Sequence, residues 1–385
     1  MKVLHVITGI DRGGAEGHLL ELVKHQRASG IAVAVAYLRG HGYWADTYRK
    51  MGVEVHRLGL RFYGDLRPLA ALRRVLAGAE FDLLHAHLPP AELYARLALL
   101  AARRPALPMV ITKHNEERFS PGPGQRLLGR WVGSRARQVI AISAAVKRFM
   151  AGPGLGLDRR KIETIHYGID AAQFSAARLA EVAALRQEWG IAETALTIGF
   201  VGRLVEQKDI GTLIRGFALF SGRFPEARLV IVGEGVCRAG LQRCADDLGI
   251  AERVVWAGFR EDIQTVMRAF DIFALTSVYE GLGLVLLEAM ASGVAVAATR
   301  VGAIPEVVAE GETGLLVGPG QPEALAAAFH QLSNGPVRTL MGEAGGRRVL
   351  GEFTLEKMWR KTDRLYEQCL RPAGAEPRIL QEAVR

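Results

Sequence analysis

Lys2-Val3-Leu4-His5-Val6-Ile7-Thr8 runs straight into Gly9-Ile10-Asp11-Arg12-Gly13-Gly14-Ala15-Glu16, where a helical pattern begins. An apolar run, a glycine-rich turn and a helix form the opening of a parallel α/β sheet. The same opening recurs in the second half. Leu196–Val201 leads into Gly202-Arg203-Leu204-Val205-Glu206-Gln207-Lys208, then a helical stretch over Ile210–Ser221. Around each opening, short apolar runs alternate with helical stretches. In the first half, strands are expected at Val3–Thr8, Ile31–Leu38, Val53–Leu58, Phe81–Ala86, Pro108–Thr112 and Gln138–Ser143. In the second they are expected at Leu196–Val201, Arg228–Val232, Val254–Trp256, Ile272–Thr276, Ala295–Ala298 and Leu315–Val317. Continuous apolar runs suit parallel strands buried on both faces. The pattern predicts two doubly wound α/β domains facing across a cleft, with ligands at the carboxyl ends of the strands. The expected boundaries are 1–170 for the first domain, 171–194 for a linker and 195–350 for the second. A C-terminal helix over 351–372 is expected to pack back toward the first domain.

Composition narrows the class. The 385 residues are 49% hydrophobic and 23% charged, an ordinary globular balance. Three cysteines without a CxxC pair argue against a disulfide scaffold and fit a reducing cytoplasm. The N-terminal apolar run breaks at Gly9, too early for a secretory signal, and no apolar run is long enough to span a membrane. The formal charge of +9 is uneven. Residues 1–150 hold 23 Lys and Arg against 11 Asp and Glu, while the remainder holds 26 against 29. Nucleic acid, an anionic membrane surface and a phosphorylated substrate are all compatible with this excess, as is a solvated Arg-rich surface. No nucleic-acid-binding motif accompanies it.

Several stretches carry chemistry. Gly13 and Gly14 let backbone N–H groups approach an anion at a helix N-terminus, or simply make a tight turn. Their spacing is not that of a dinucleotide-binding fingerprint. Arg203 and Lys208 stand five apart before a helix, an arrangement suited to a diphosphate or equally to a surface loop. In Tyr279-Glu280-Gly281-Leu282-Gly283-Leu284-Val285-Leu286-Leu287-Glu288-Ala289-Met290, glycines precede a helix that carries an acid inside an apolar run. An ionised Glu288 is costly to bury alone, so it needs a partner, and ligand hydroxyls are good ones. His85 and His87 bracket Ala86 and point to one face, so one of them is a candidate for an acceptor side. No third ligand is evident for a metal there. His5 reads as a core residue. His114 follows a strand in Ile111-Thr112-Lys113-His114-Asn115.

Taken together, Glu280-x7-Glu288, Gly202-Arg203-Leu204…Lys208, Tyr167-Gly168-Ile169-Asp170, Gly233-Glu234-Gly235 and Ala303-Ile304-Pro305-Glu306-Val307 make the chain resemble a retaining glycosyltransferase of family 4, with GT-B architecture, from Gly9 to about Tyr366. The resemblance implies transfer of a sugar from a nucleoside-diphosphate sugar, UDP favoured and GDP possible, without a metal or other cofactor. It implies that Arg203 and Lys208 hold the diphosphate, that Glu280 bonds the donor sugar and that Glu288 bonds the ribose. Gly202 and Gly233 belong to the donor-binding loops, and Gly283 and Leu284 supply backbone contacts. Phe259 and Arg260 lie by the base, Gly13 and Gly14 close over the phosphate, and His114 faces the donor sugar as a catalytic group beside Glu280, Arg203 and Lys208. The chain departs from the family at Asp209, where glycine is common, at Leu282, where Phe is usual, and at His166-Tyr167, where Asn is frequent before the glycine. The implied acceptor is a glycan, a lipid-linked glycan or a small hydroxyl compound of envelope synthesis. The basic segment 113–148, with Phe119, Leu127, Leu128, Trp131 and Val132, is a candidate for docking on anionic lipid at the cytoplasmic face. An epimerase of the same architecture and a non-catalytic nucleotide-sugar-binding protein are the alternatives.

Overall fold

A computed structural model describes residues 1–116, 124–152, 155–175 and 179–371. Its contacts divide into two units. One comprises residues 1–140, 150–163 and those from Trp359 onward; the other comprises residues 141–149 and 164–358.

The first unit is built on a seven-stranded sheet. Its strands are β1 (Lys2–Ile7), β2 (Ala32–Tyr37), β3 (Glu54–Arg57), β4 (Leu83–His87), β5 (Met109–Lys113), β6 (Gln138–Ala141) and β7 (Ile162–Thr164), in the order β3-β2-β1-β4-β5-β6-β7. β1 runs parallel to both β2 and β4. The chain winds outward from β1 to β3, then returns to place β4 on the other side of β1. That reversal opens a crevice at the carboxyl ends of β1 and β4. Every residue of β4 and β5 is buried, which is why these strands read as unbroken apolar runs apart from His85, His87, Thr112 and Lys113.

The second unit repeats the plan with six parallel strands. They are β8 (Thr197–Val201), β9 (Arg228–Val232), β10 (Val254–Gly258), β11 (Ile272–Leu275), β12 (Ala295–Thr299) and β13 (Gly314–Val317), in the order β10-β9-β8-β11-β12-β13. The reversal here lies between β8 and β11. It puts the loops 202–208 and 276–283 side by side.

The described residues of 171–194, read as a linker, are not a bare connection. They carry helices Ala171–Ser175 and Leu179–Glu188 and belong to the second unit. Arg186 fixes them by donating to the carbonyls of Ala195 at 2.6 Å and Ala269 at 3.0 Å. The last helix, Leu355–Leu370, begins in the second unit and continues in the first from Trp359. Its Tyr366 is buried there, and Trp359 stacks on His25 with ring centroids 4.6 Å apart.

Candidate active site

In the second unit, three strand ends are zipped together backbone to backbone. Gly202 N–H donates to Val232 O at 3.0 Å, Gly233 N–H to Gly258 O at 2.7 Å, and Leu204 N–H to Glu234 O at 2.9 Å. The approach is so close that a Cβ on residue 233 would lie 1.9 Å from the carbonyl oxygen of Gly202, and Gly233 also has φ +132°. Only glycine fits, which gives Gly233 a physical reason. Arg203 emerges from this zipper exposed, with no ion-pair partner among the described residues.

The loop after β8 is also stitched to the loop after β11. Val278 N–H donates to Gln207 O at 2.8 Å, and Thr276 Oγ1 donates to Lys208 O at 3.0 Å. This brings Lys208 Nζ to 2.5 Å from Glu280 Oε1, and Ser277 Oγ donates to the same oxygen at 2.7 Å. The backbone of Glu280 is held in turn, its carbonyl accepting from Ala303 N–H at 3.2 Å. A Cβ on Gly302 would sit 2.1 Å from that carbonyl oxygen.

Asp209 explains its own departure from the family pattern. It adopts φ +41°, ψ 48°, the left-handed conformation that glycine takes without strain. Aspartate is one of the few side chains tolerated there. Its carboxylate then caps helix Ile210–Ser221, accepting from Thr212 Oγ1 at 2.7 Å and Thr212 N–H at 3.3 Å.

Gly283, at φ +85°, starts helix Leu284–Ala291, and no side chain caps that N-terminus. Glu288 lies on this helix. Its carboxylate has no hydrogen-bond or ion-pair partner among the described residues, and burial pushes it up from 4.5 to about 7, although part of the residue remains accessible. Phe259 is 53% exposed beside Gly258. Arg260 is committed to protein acids, bonding Asp262 at 2.7 and 2.8 Å and Glu188 at 2.8 Å.

In the first unit, Gly13 and Gly14 are exposed at the start of helix Gly14–Ala28. Gly13 is extended rather than left-handed. Next to this loop, Asp11 receives the backbone N–H groups of His41, Gly42 and Tyr43.

The histidines change the reading most. His85 and His87 are fully enclosed, so neither presents a surface to an acceptor. Nor do they lack a third imidazole: β1 and β4 pair His5 directly with His85, and the ligand nitrogens of His5, His85 and His87 lie within 4.8 Å of one another. His87 Nδ1 is 3.1 Å from His114 Nε2, and the ring of His18 meets His114 edge-on at 5.7 Å. Burial lowers His5 to about 4 and holds His85, His87 and His114 well below 6.5. Five of the ten histidines thus gather here as neutral rings. Sequence reading missed Gln26 and Tyr366 as their partners, because both belong to helices whose packing no local pattern reveals.

Comparison with known proteins gives the family. The family models described as Glycosyltransferase Family 4 and as Glycosyl transferases group 1 match residues 12–173 and 181–348. The alpha-maltose-1-phosphate synthase of Mycobacterium tuberculosis is 30% identical, covering 92% of this chain and 95% of its own. The putative glycosyltransferase EpsD of Bacillus subtilis is 28% identical over 72% of this chain and 74% of its own. Among solved structures, Anabaena Alr3699/HepE in complex with UDP superposes with a TM-score of 0.83 at 24% identity, covering 96% of this chain and 100% of its own. WaaG, a glycosyltransferase of lipopolysaccharide biosynthesis, gives 0.72 at 17% identity, covering 94% and 99%. With two parallel-sheet units and both halves matched in order, the chain belongs to the group 1, family 4 glycosyltransferases.

Proposed function

We propose that this glycosyltransferase takes a sugar from a nucleoside-diphosphate sugar and passes it, with retention, to a hydroxyl of a glycan or lipid-linked glycan. The carrying observation is Glu288, a largely buried carboxylate without a partner among the described residues, on a helix whose N-terminus no side chain caps. Ribose hydroxyls satisfy the carboxylate, and phosphate oxygens suit the uncapped N–H groups. Arg203 and Lys208 supply fixed positive charge where the leaving diphosphate gains negative charge, so the transition state is stabilised without a metal. Glu280 bonds the donor sugar, and Gly202, Gly233, Gly283 and Leu284 shape the loops around it. Gly13, Gly14 and His114 act from the first unit, His114 on the donor sugar. UDP is the favoured base; HepE, of similar fold, was crystallised with UDP and with UDP-glucose.

The test is a thermal-shift screen of nucleoside diphosphates, followed by transfer assays with the matching nucleotide sugars. Lys208→Ala should lower kcat/KM by about a hundredfold, equivalent to about 3 kcal/mol in the transition state. Wild-type transfer by that variant would sink the assignment. An epimer formed from donor alone would favour the epimerase reading, and binding without nucleoside diphosphate release would favour a non-catalytic one.

A lipid-linked acceptor is supported by helix Gln125–Arg135, which exposes Arg126, Leu127, Arg130 and Trp131 along one face. The Arg96 guanidinium lies 3.8 Å over the Trp131 ring. Val132 instead points into the core, and Phe119 lies outside the described residues. Among the described residues no helix is long and apolar enough to cross a membrane, so docking would be peripheral, at the cytoplasmic face. Co-sedimentation with liposomes that ignores anionic lipid content and salt would refute this.

A further inference from the structure

In the second unit, the run Thr276-Ser277-Val278-Tyr279-Glu280 is tied down at every position. Thr276 Oγ1 donates to Lys208 O at 3.0 Å, and Thr299 Oγ1 donates to Ser277 O at 2.6 Å. Val278 N–H donates to Gln207 O at 2.8 Å, Gln207 Nε2 to Tyr279 O at 3.0 Å, and Ala303 N–H to Glu280 O at 3.2 Å. None of these bonds uses the Ser277 hydroxyl. Ser277 is fully buried, and among the described residues its Oγ bonds only the Glu280 carboxylate, at 2.7 Å. The loop is held without that hydroxyl, which acts instead on one oxygen of one side chain.

That oxygen, Oε1, also receives Lys208 Nζ at 2.5 Å. The two donors differ in kind. Lys208 carries its charge on a flexible stem and can turn to another anion. Ser277 is enclosed on a fixed backbone and stays where it is. The terminal torsion of a glutamate is soft, so a fixed donor decides how the carboxylate lies once the mobile one has left. Glu280 is only 9% exposed, so water replaces a lost partner poorly. A buried carboxylate stripped of every donor is costly. A diphosphate that recruits Lys208 therefore meets a cost at Glu280, and the Ser277 hydroxyl limits it.

We propose that Ser277 is a positioning residue for donor specificity: it holds Glu280 when a diphosphate draws Lys208 away, so that a nucleoside diphosphate binds with or without a sugar attached. Lacking that hydroxyl, the second unit would favour ligands whose sugar hydroxyls take over at Glu280. The inference rests on the proposed roles of Lys208 at the diphosphate and of Glu280 at the sugar. A serine that merely filled space or braced the loop would, when removed, weaken both kinds of ligand alike. A serine acting through Glu280 would weaken the ligand that brings no hydroxyl to the carboxylate and spare the one that does.

The test is calorimetric titration of the full chain with UDP and UDP-glucose, and with GDP and GDP-glucose as the second pair. Ser277→Ala should weaken the diphosphate about tenfold, in the range of one hydrogen bond to a charged group, and the nucleotide sugar by no more than about threefold. Ser277→Cys, which nearly keeps the volume and offers only a weak donor, should shift the two affinities in the same sense, and it serves if the alanine variant fails to fold. Glu280→Gln keeps the shape and removes the charge that competes for Lys208, so it should tighten the diphosphate and weaken the nucleotide sugar. In that background Ser277→Ala should change the diphosphate affinity by less than about twofold, since the two residues act as one. Equal losses for both ligands in Ser277→Ala and Ser277→Cys, or a loss of diphosphate affinity that persists in full beside Glu280→Gln, would overturn the proposal. Wild-type affinity for both ligands in Glu280→Gln would instead sink the roles of Lys208 and Glu280 from which it starts.

Discussion

Replacing Glu288 by Gln should make the protein more stable and its donor weaker. The unfolded chain loses the Glu288 proton near 4.5 and the folded chain near 7. Between those values the folded state binds more protons than the unfolded one, so stability falls as pH rises. Below 4.5 the group contributes nothing; above 7 its full cost remains. The rise from 4.5 to about 7 corresponds to about 3 kcal/mol, and partial access of the residue to water reduces this to about 2 kcal/mol. For a unit of about 200 residues that is a rise in Tm of about 4–8 °C in Glu288→Gln at pH 8, and no rise at pH 4. The assay is thermal unfolding of both proteins across pH 4–8, with and without UDP. Wild type should show the pH-dependent loss and the variant should lack it. UDP should stabilise wild type more, because the carboxylate that costs stability is the one the ribose satisfies. Equal Tm values with equal pH profiles would refute the reasoning, since Glu288 would then hold no stored electrostatic cost.

Gly233→Ala should cost about 3 kcal/mol, from the 1.9 Å approach to the Gly202 carbonyl and from positive φ, read as a drop in urea midpoint. Asp209→Ala should cost about 1–2 kcal/mol through the lost helix cap and the strained backbone, whereas Asp209→Gly should stay within a few tenths, as urea titration would show. Lys113→Met should cost about 3–5 kcal/mol, because Lys113 Nζ lies 2.6 Å from the Glu92 carboxylate with both side chains at most 4% exposed; the double variant with Glu92→Leu should recover most of it.

The two sheets were legible because fully buried parallel strands read as continuous apolar runs. β8 and β12 fall within one residue of their expected ends. β7, with three residues, is too short to leave a pattern. Helix Gly335–Glu352 escaped for a different reason: it contains five glycines, which disfavour helix on propensity alone. Packing overrides propensity there, since a Cβ on residue 342 would lie 2.1 Å from the Gly293 carbonyl oxygen. The loop positions of Arg203, Lys208 and Glu280 were legible because glycines interrupt the apolar runs after β8 and β11. The histidine cluster was not, because it depends on the β1–β4 register that sets His5 against His85. No spacing within one strand encodes that register.

The charges of the second unit also argue about the order of events on the proposed reading. Lys208 is already paired with Glu280, while Arg203 and Glu288 have no such partner among the described residues. A diphosphate must therefore compete with Glu280 for Lys208. A ligand bringing only anionic oxygens gains at the lysine and sets a negative group near a carboxylate it has just released. Glu280 keeps the Ser277 hydroxyl at 2.7 Å, so it is not stripped bare, but its lost ion pair is made good only by new hydrogen-bond donors. Sugar hydroxyls are such donors. The Lys208–Glu280 pair thus favours ligands that carry a diphosphate and a sugar together over either part alone, and the discrimination comes from the pair being broken rather than from any contact that exists beforehand.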